Sequence, residues 1–382
     1  MNCPQCKYDG VPEESRFCPK CGAAIQAKPS TQITMTQEVG TVEGGEVTGL
    51  EVEQVTGDLT VESTVNQIEA KIIQGGYVDR KVITNNILML GDPHMLDEIL
   101  QKLMALQGIN EQAVQNPGSA IVPQHVEHQI SEVMAAQQEI ATRGLPTSPQ
   151  ALYRLGILAA YRRDYDGALG LFRQAGQADP EHSDAFEAIA WLQQHRAMDD
   201  KDKQAYGAAA SKLADANAAA KQTDPLDPRA LALRGYVFKS MAQVAEAQRE
   251  QANRDKYYKE AARLFKHVVQ LEPDDASAQN GLGNVEYALG NLDRAIAAYE
   301  QAIALAPSYV ASHHDLAVAF EAKMQTDPAQ AEHWRQKAIE AWQITYQLAP
   351  NDPGFSADRL LAIGQHISQL KQQREQAQPE SR

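Results

Sequence analysis

The chain has 382 residues, a net charge of −15 and only 6% aromatic residues. So acidic a balance argues against a body that binds nucleic acid, and no apolar run approaches the roughly 18 residues that a membrane span requires. The length leaves room for two or three domains, and the abundant alanine favours helices.

All four cysteines fall in the opening MNCPQCKYDGVPEESRFCPKCG. Cys3 and Cys6 form one C-x-x-C, Cys18 and Cys21 a second, and eleven residues separate the pairs. Two such knuckles complete a tetrahedral four-thiolate site for Zn2+. Pro4 and Pro19 fix the turns through their restricted φ, and Gly22 lets the chain bend after the second knuckle. Tyr8, Val11, Phe17 and Ile25 are too few to form a core, so metal binding supplies the folding energy. Disulfides or a redox dithiol are the alternatives. No apolar signal-peptide region precedes the cysteines, which points to a cytoplasmic chain where disulfides are rare. A redox dithiol comes as one pair, not two. With four thiolates there is no open position for catalytic water. The stretch resembles the short zinc-ribbon modules at the N-termini of many prokaryotic proteins, and the expected ribbon spans residues 1–26.

Residues 27–38 are polar, contain Pro29 and read as a linker. From Val39 to Gly91 apolar and polar residues alternate between glycines, with Thr48-Gly49-Leu50-Glu51-Val52 echoed by Thr56-Gly57-Asp58-Leu59-Thr60-Val61. This pattern predicts a small β-rich segment, with strands near 68–73 and 82–90. A unit of about fifty residues has little core of its own, and its open edges predict pairing into a homo-oligomer. Over 92–144 two amphipathic helices are expected. The first starts at Asp92-Pro93 and ends at Gly108; its stripe is Met95, Leu96, Ile99, Leu100, Leu103 and Met104. The second runs from Pro123 to Gly144 on Val126, Ile130, Val133, Met134 and Ile140. His125 and His128 lie on it without a third ligand nearby and read as a solvated face.

From Gln150 the chain repeats itself. ALYRLGILAAYRRDYDGALGLFRQAGQADP aligns without a gap with AQNGLGNVEYALGNLDRAIAAYEQAIALAP. Leu155, Gly156, Ala168, Phe172, Ala175 and Pro180 match Leu282, Gly283, Ala295, Tyr299, Ala302 and Pro307. Small residues where two helices approach, an aromatic filler and a closing proline describe a helical hairpin. The pattern resembles the 34-residue tetratricopeptide repeat, TPR. Three further units, closing at Pro225, Pro273 and Pro350, carry about ten extra residues each against that period, which read as longer helices. The repeats occupy 145–350, residues 351–375 form a capping helix, and 376–382 form a disordered tail.

The resemblance implies a superhelix whose concave face is built from the first helix of each hairpin. Its lining positions fall on Tyr153, Ile157 and Tyr161, on Glu187 and Trp191, on Asn280, Asn284 and Tyr287, and on His314. Asparagines there hold a partner's extended backbone and aromatics give contact area. The family's clamp for a terminal carboxylate is missing, because its places in the first repeat hold Tyr153 and Ile157. There is no GxSxG, HExxH or GxxxxGK[ST] motif, so the chain reads as no enzyme. The expected architecture is mainly α, a TPR-like superhelix with an N-terminal zinc ribbon and a small β-rich segment. The expected function is a non-enzymatic scaffold with a protein or peptide in its groove and Zn2+ in its ribbon. The alternative is a regulator whose ribbon touches DNA or RNA. Lys7, Tyr8, Arg16, Phe17 and Lys20 would carry that contact, but Asp9, Glu13 and Glu14 offset them and disfavour it.

Overall fold

The computed structural model describes residues 80–90, 94–115, 117, 122–352 and 355–377. The expected ribbon, the linker and residues 39–79 of the β-rich segment lie outside them. Among the described residues there is no strand, and no helix is long and apolar enough to cross a membrane.

Four helices precede the repeats: α1 (Arg80–Leu90), α2 (Met95–Gln107), the single turn α3 (Gln112–Gln115) and α4 (Gln124–Thr142). The strand expected over 82–90 is a helix instead. Ile83 and Ile87 are four residues apart and at most 1% exposed, and α1 packs on α4. That spacing suits a helical stripe, and tertiary burial overrides the β preference of valine, isoleucine and threonine. The two amphipathic helices appear as expected. Gly108, at φ 65°, closes α2 with its N–H on Ala105 and Met104. A left-handed residue at that place is what ends a helix cheaply when it is glycine. The start differs, for His94 stands at the cap without a side-chain hydrogen bond, and Asp92 and Pro93 lie outside the described residues.

Five hairpins follow: α5 (Pro149–Tyr161) with α6 (Tyr165–Ala178), α7 (Ser183–Asp202) with α8 (Tyr206–Ala220), α9 (Pro228–Ala247) with α10 (Gln251–Leu271), α11 (Ala276–Ala288) with α12 (Leu292–Leu305), and α13 (Val310–Thr326) with α14 (Ala331–Leu348). Side chains set the starts of three of their first helices. Ser148 Oγ accepts from Ala151 N at 3.2 Å, Asp227 Oδ1 from Arg229 N at 2.8 Å, and Asp275 Oδ1 from Ser277 and Ala278 N. Proline takes the first helical position of α5 and α9, where its missing N–H is not needed.

The extra residues of the irregular units do extend their helices. Helices α7 and α9 have 20 residues against 13 in α5 and α11, and α10 has 21 against 14 in α12. An addition of seven is close to two full turns, so the same face still meets the partner helix. The tight turn inside the hairpin is kept in the first four. Arg163, Gln204, Arg249 and Gly290 occupy one equivalent left-handed position, at φ 65°, 63°, 62° and 83°.

The core runs along the hairpins as aromatics seated on glycines. A Cβ on Gly156 would lie 2.4 Å from the Phe172 ring, and one on Gly283 would lie 2.5 Å from Tyr299. Phe172 and Tyr299 therefore pack inside their own hairpins. Phe265 does more, lying against Gly235 of its own hairpin and Gly281 of the next. The stack ends on α15 (Ala357–Ala377), which buries Ile363, Ile367 and Leu370 with Trp342 of α14. It runs two residues past its expected end, into the expected tail.

Candidate functional site

The first helices of the hairpins, α5, α7, α9, α11 and α13, line one face, with α9 packed on α7 and α11, and α11 on α13. All nine residues expected to line the groove sit on these helices, but the structure gives them three different roles.

Over α5 and part of α7 the face is covered by the chain itself. Ile157 is only 2% exposed, so it is no free contact residue. Helix α2 packs on α5, and the turn α3 packs on both α5 and α7. Tyr153 is half-buried, with ring centroids 5.7 Å from Phe172 and 5.2 Å from His182. Burial raises its hydroxyl pKa, and the neighbouring carboxylates of Glu111 and Asp184 raise it further. Tyr161 is half-buried at the end of α5.

Glu187 lies in an acidic surrounding on α7. Burial pushes its carboxyl up to about 7, Arg229 opposes the shift, and Asp227, Asp184 and Glu111 add to it. A carboxyl raised in the folded state is stabilising below its unfolded value and loses that contribution as pH climbs through the folded one. Glu187→Gln should therefore be more stable than the parent at pH 8.5, by about 1 kcal/mol once solvent access to the groove is discounted. The gap should close near pH 4. Urea unfolding of both proteins at the two pH values measures it, and an equal pH response in both would sink the assignment.

At the last two repeats Asn280 and His314 are engaged in packing. Asn280, 5% exposed, accepts from Ser312 Oγ at 2.9 Å and donates to Asp315 Oδ2 at 3.3 Å. It ties repeat 4 to repeat 5, and its burial leaves little of it to a partner's backbone. His314 Nδ1 lies 2.9 Å from Asp315 Oδ1, its Nε2 3.2 Å from Arg359 on the capping helix, and its ring meets Trp342 edge-on at 5.0 Å. It seats the cap.

The open strip lies between these ends. Trp191 meets Tyr236 with ring centroids 5.6 Å apart, and the Tyr236 hydroxyl is 2.8 Å from Ser277 Oγ. Lys239 Nζ stands 5.3 Å from the Tyr236 ring centroid. Burial lowers the Lys239 pKa, while the Asp315 carboxylate pulls the other way. On the next helix, Asn284 accepts the Tyr299 hydroxyl through Oδ1 at 3.0 Å, and Tyr287 is half-buried over the terminal core. Tyr236 and Lys239 were missed in the sequence, although Tyr236 follows Gly235 just as Asn284 follows Gly283. Aromatic faces, an amide and an ammonium in one strip suit contact with a polypeptide. Among the described residues, no three His, Cys, Asp or Glu side chains group as a metal site.

Residues 283–323, from α11 through α12 into α13, match the family model for the TPR repeat. That stretch is a TPR repeat. No curated protein matches the chain. Similar solved structures include a thermophilic TPR protein of Thermus thermophilus, 20% identical, covering 58% of this chain and 98% of that one at a TM-score of 0.39. PilF of Pseudomonas aeruginosa is 20% identical, covering 59% and 86% at 0.40. A TPR protein of Parabacteroides merdae is 12% identical, covering 81% and 98% at 0.43.

Proposed function

We propose that this TPR-repeat chain is a non-catalytic scaffold that binds a protein partner along the middle of its concave face. The observation that carries the reading is the strip of Trp191, Tyr236, Lys239, Asn284 and Tyr287, half-buried on three successive first helices. Half-buried aromatics give large contact area at small entropic cost, and a partly desolvated ammonium gains from a partner's carbonyl or carboxylate. The same proposal assigns one structural Zn2+ to Cys3, Cys6, Cys18 and Cys21, on the chemistry and spacing of four thiols, and homo-oligomer contacts to residues 39–79.

A pull-down with the full chain, read by mass spectrometry, supplies the partner. The groove is then tested with Tyr287→Ala combined with Lys239→Met. Asn284 is left intact, because its removal would strand the buried Tyr299 hydroxyl and confuse stability with binding. The double variant should keep its far-UV circular dichroism and lose about 1–3 kcal/mol of affinity. Unchanged affinity would move the site off this strip.

A further inference from the structure

After α2 the described turn α3 packs on the first two repeats. Residues Ile109–Gln115 lie where the first repeats would otherwise present the positions that carry Tyr236 and Asn284 further along. Ile109 is 5% and Val114 3% exposed, and Ile157, which aligns with Asn284, is buried beneath this segment. The segment forms one turn, opened by Asn110 Oδ1 accepting from Gln112 N at 3.0 Å and closed by Val114 N on Glu111 O at 2.9 Å. A single turn of four residues does not hold its shape alone, so the groove imposes it.

The fit is apolar at its ends and poor in its middle. Glu111 meets the Tyr153 hydroxyl, but it also faces the carboxylates of Glu187 and Asp184. A cavity of about 420 Å3 adjoins it, lined by Asp179, Glu181 and Asp184, with Arg154 as the cation there. That arginine is already paired with Asp97 at 2.6 Å. A second cavity, of about 510 Å3, lies between the segment, Met104 and Ile157.

We propose that the concave face of repeats 1 and 2 is a peptide-binding surface, and that Ile109–Gln115 occupies it as an intramolecular ligand. The partner it fits is a peptide that forms one helical turn with aliphatic residues five apart, like Ile109 and Val114, and a lysine or arginine in the place of Glu111. The two aliphatics take the buried positions, and the cation reaches the acidic cavity that Glu111 leaves unfilled. This goes beyond the middle-strip reading, since neither Lys239 nor Tyr287 takes part.

The probe is a fluorescein-labelled peptide of residues 107–117 carrying Glu111→Lys, titrated into the full chain by fluorescence anisotropy. An attached segment competes at an effective concentration near millimolar. The double variant Ile109→Ser/Val114→Ser should therefore bind the probe at least tenfold tighter than the parent chain, and adding Ile157→Arg should abolish the binding. Adding Tyr287→Ala with Lys239→Met should leave it unchanged, which separates this site from the middle strip. Hydrogen exchange supplies the control. Deprotected amides at 109–115 in the double variant together with no probe binding would overturn the proposal, as would amides that stay protected. The single change Glu111→Lys in the full chain gives a second readout in a protein with intact anchors. It should slow exchange across 110–115 about threefold, and faster exchange would overturn the proposal.

Discussion

Replacing Phe265 with alanine should cost about 3–5 kcal/mol, more than any other single truncation in the repeat core. The ring is fully buried, and it is the filler for two helices at once. A Cβ placed on Gly235 would be 2.9 Å from it, and one on Gly281 would be 2.7 Å from it. Both glycines are there because the ring is, so neither can move a side chain into the space once it is gone. The ring also meets Tyr236 edge-on at 5.0 Å, so its loss loosens the base of the open strip. In a stacked array each hairpin depends on its neighbours, and Phe265 joins repeat 3 to repeat 4. Urea unfolding of the variant should show the lower midpoint and a transition that splits into two steps. The reciprocal change, Gly281→Ala, pushes a methyl into the same ring and should cost about 1–3 kcal/mol. A loss below about 1 kcal/mol for Phe265→Ala would mean that the stack holds together elsewhere.

The same arrangement explains what was legible in the sequence. Gly156 and Phe172, and Gly283 and Tyr299, are local pairs sixteen residues apart, so two units align without a gap and their hairpins follow from the sequence. The irregular units were recognisable by their closing prolines, and their added residues were correctly read as helix because near-integral turns preserve the face. What failed depended on partners far along the chain. Val82–Leu90 has the composition of a strand, yet it forms a helix that packs on α4. Asn280 looked like a groove amide because Ser312 and Asp315, which satisfy it, lie more than thirty residues away. Ile157 looked accessible because nothing in Ile109–Gln115 announces that it folds back onto the repeats. For Asn280 and Ile157 the local pattern was right about the helix face and silent about what covers it. The groove was therefore legible as a set of positions and not as a set of available ones. Covering at one end and capping at the other leave the middle, where Tyr236 and Lys239 stand.

Purified from zinc-replete medium, the full chain should carry one zinc, and Cys18→Ser should abolish it. The argument starts from the thiols. Every cysteine of the chain lies within the first 21 residues, in two C-x-x-C pairs, and four thiolates make a closed tetrahedral site. Structural sites of this kind bind with an apparent free energy of about 10–16 kcal/mol at neutral pH. A serine hydroxyl does not replace a thiolate at that coordination distance, and three remaining sulfurs hold the ion far less tightly. The effect on the helices should be nil. The described hairpins, 149–348, contain no cysteine and are cored by aromatics, glycines and alanines, so they have no use for a metal. Metal analysis by mass spectrometry and far-UV circular dichroism on the same samples separate the two outcomes. A parent chain free of zinc would refute the four-thiolate site. A Cys18→Ser chain that lost most of its helical signal would refute the independence of the repeats from it.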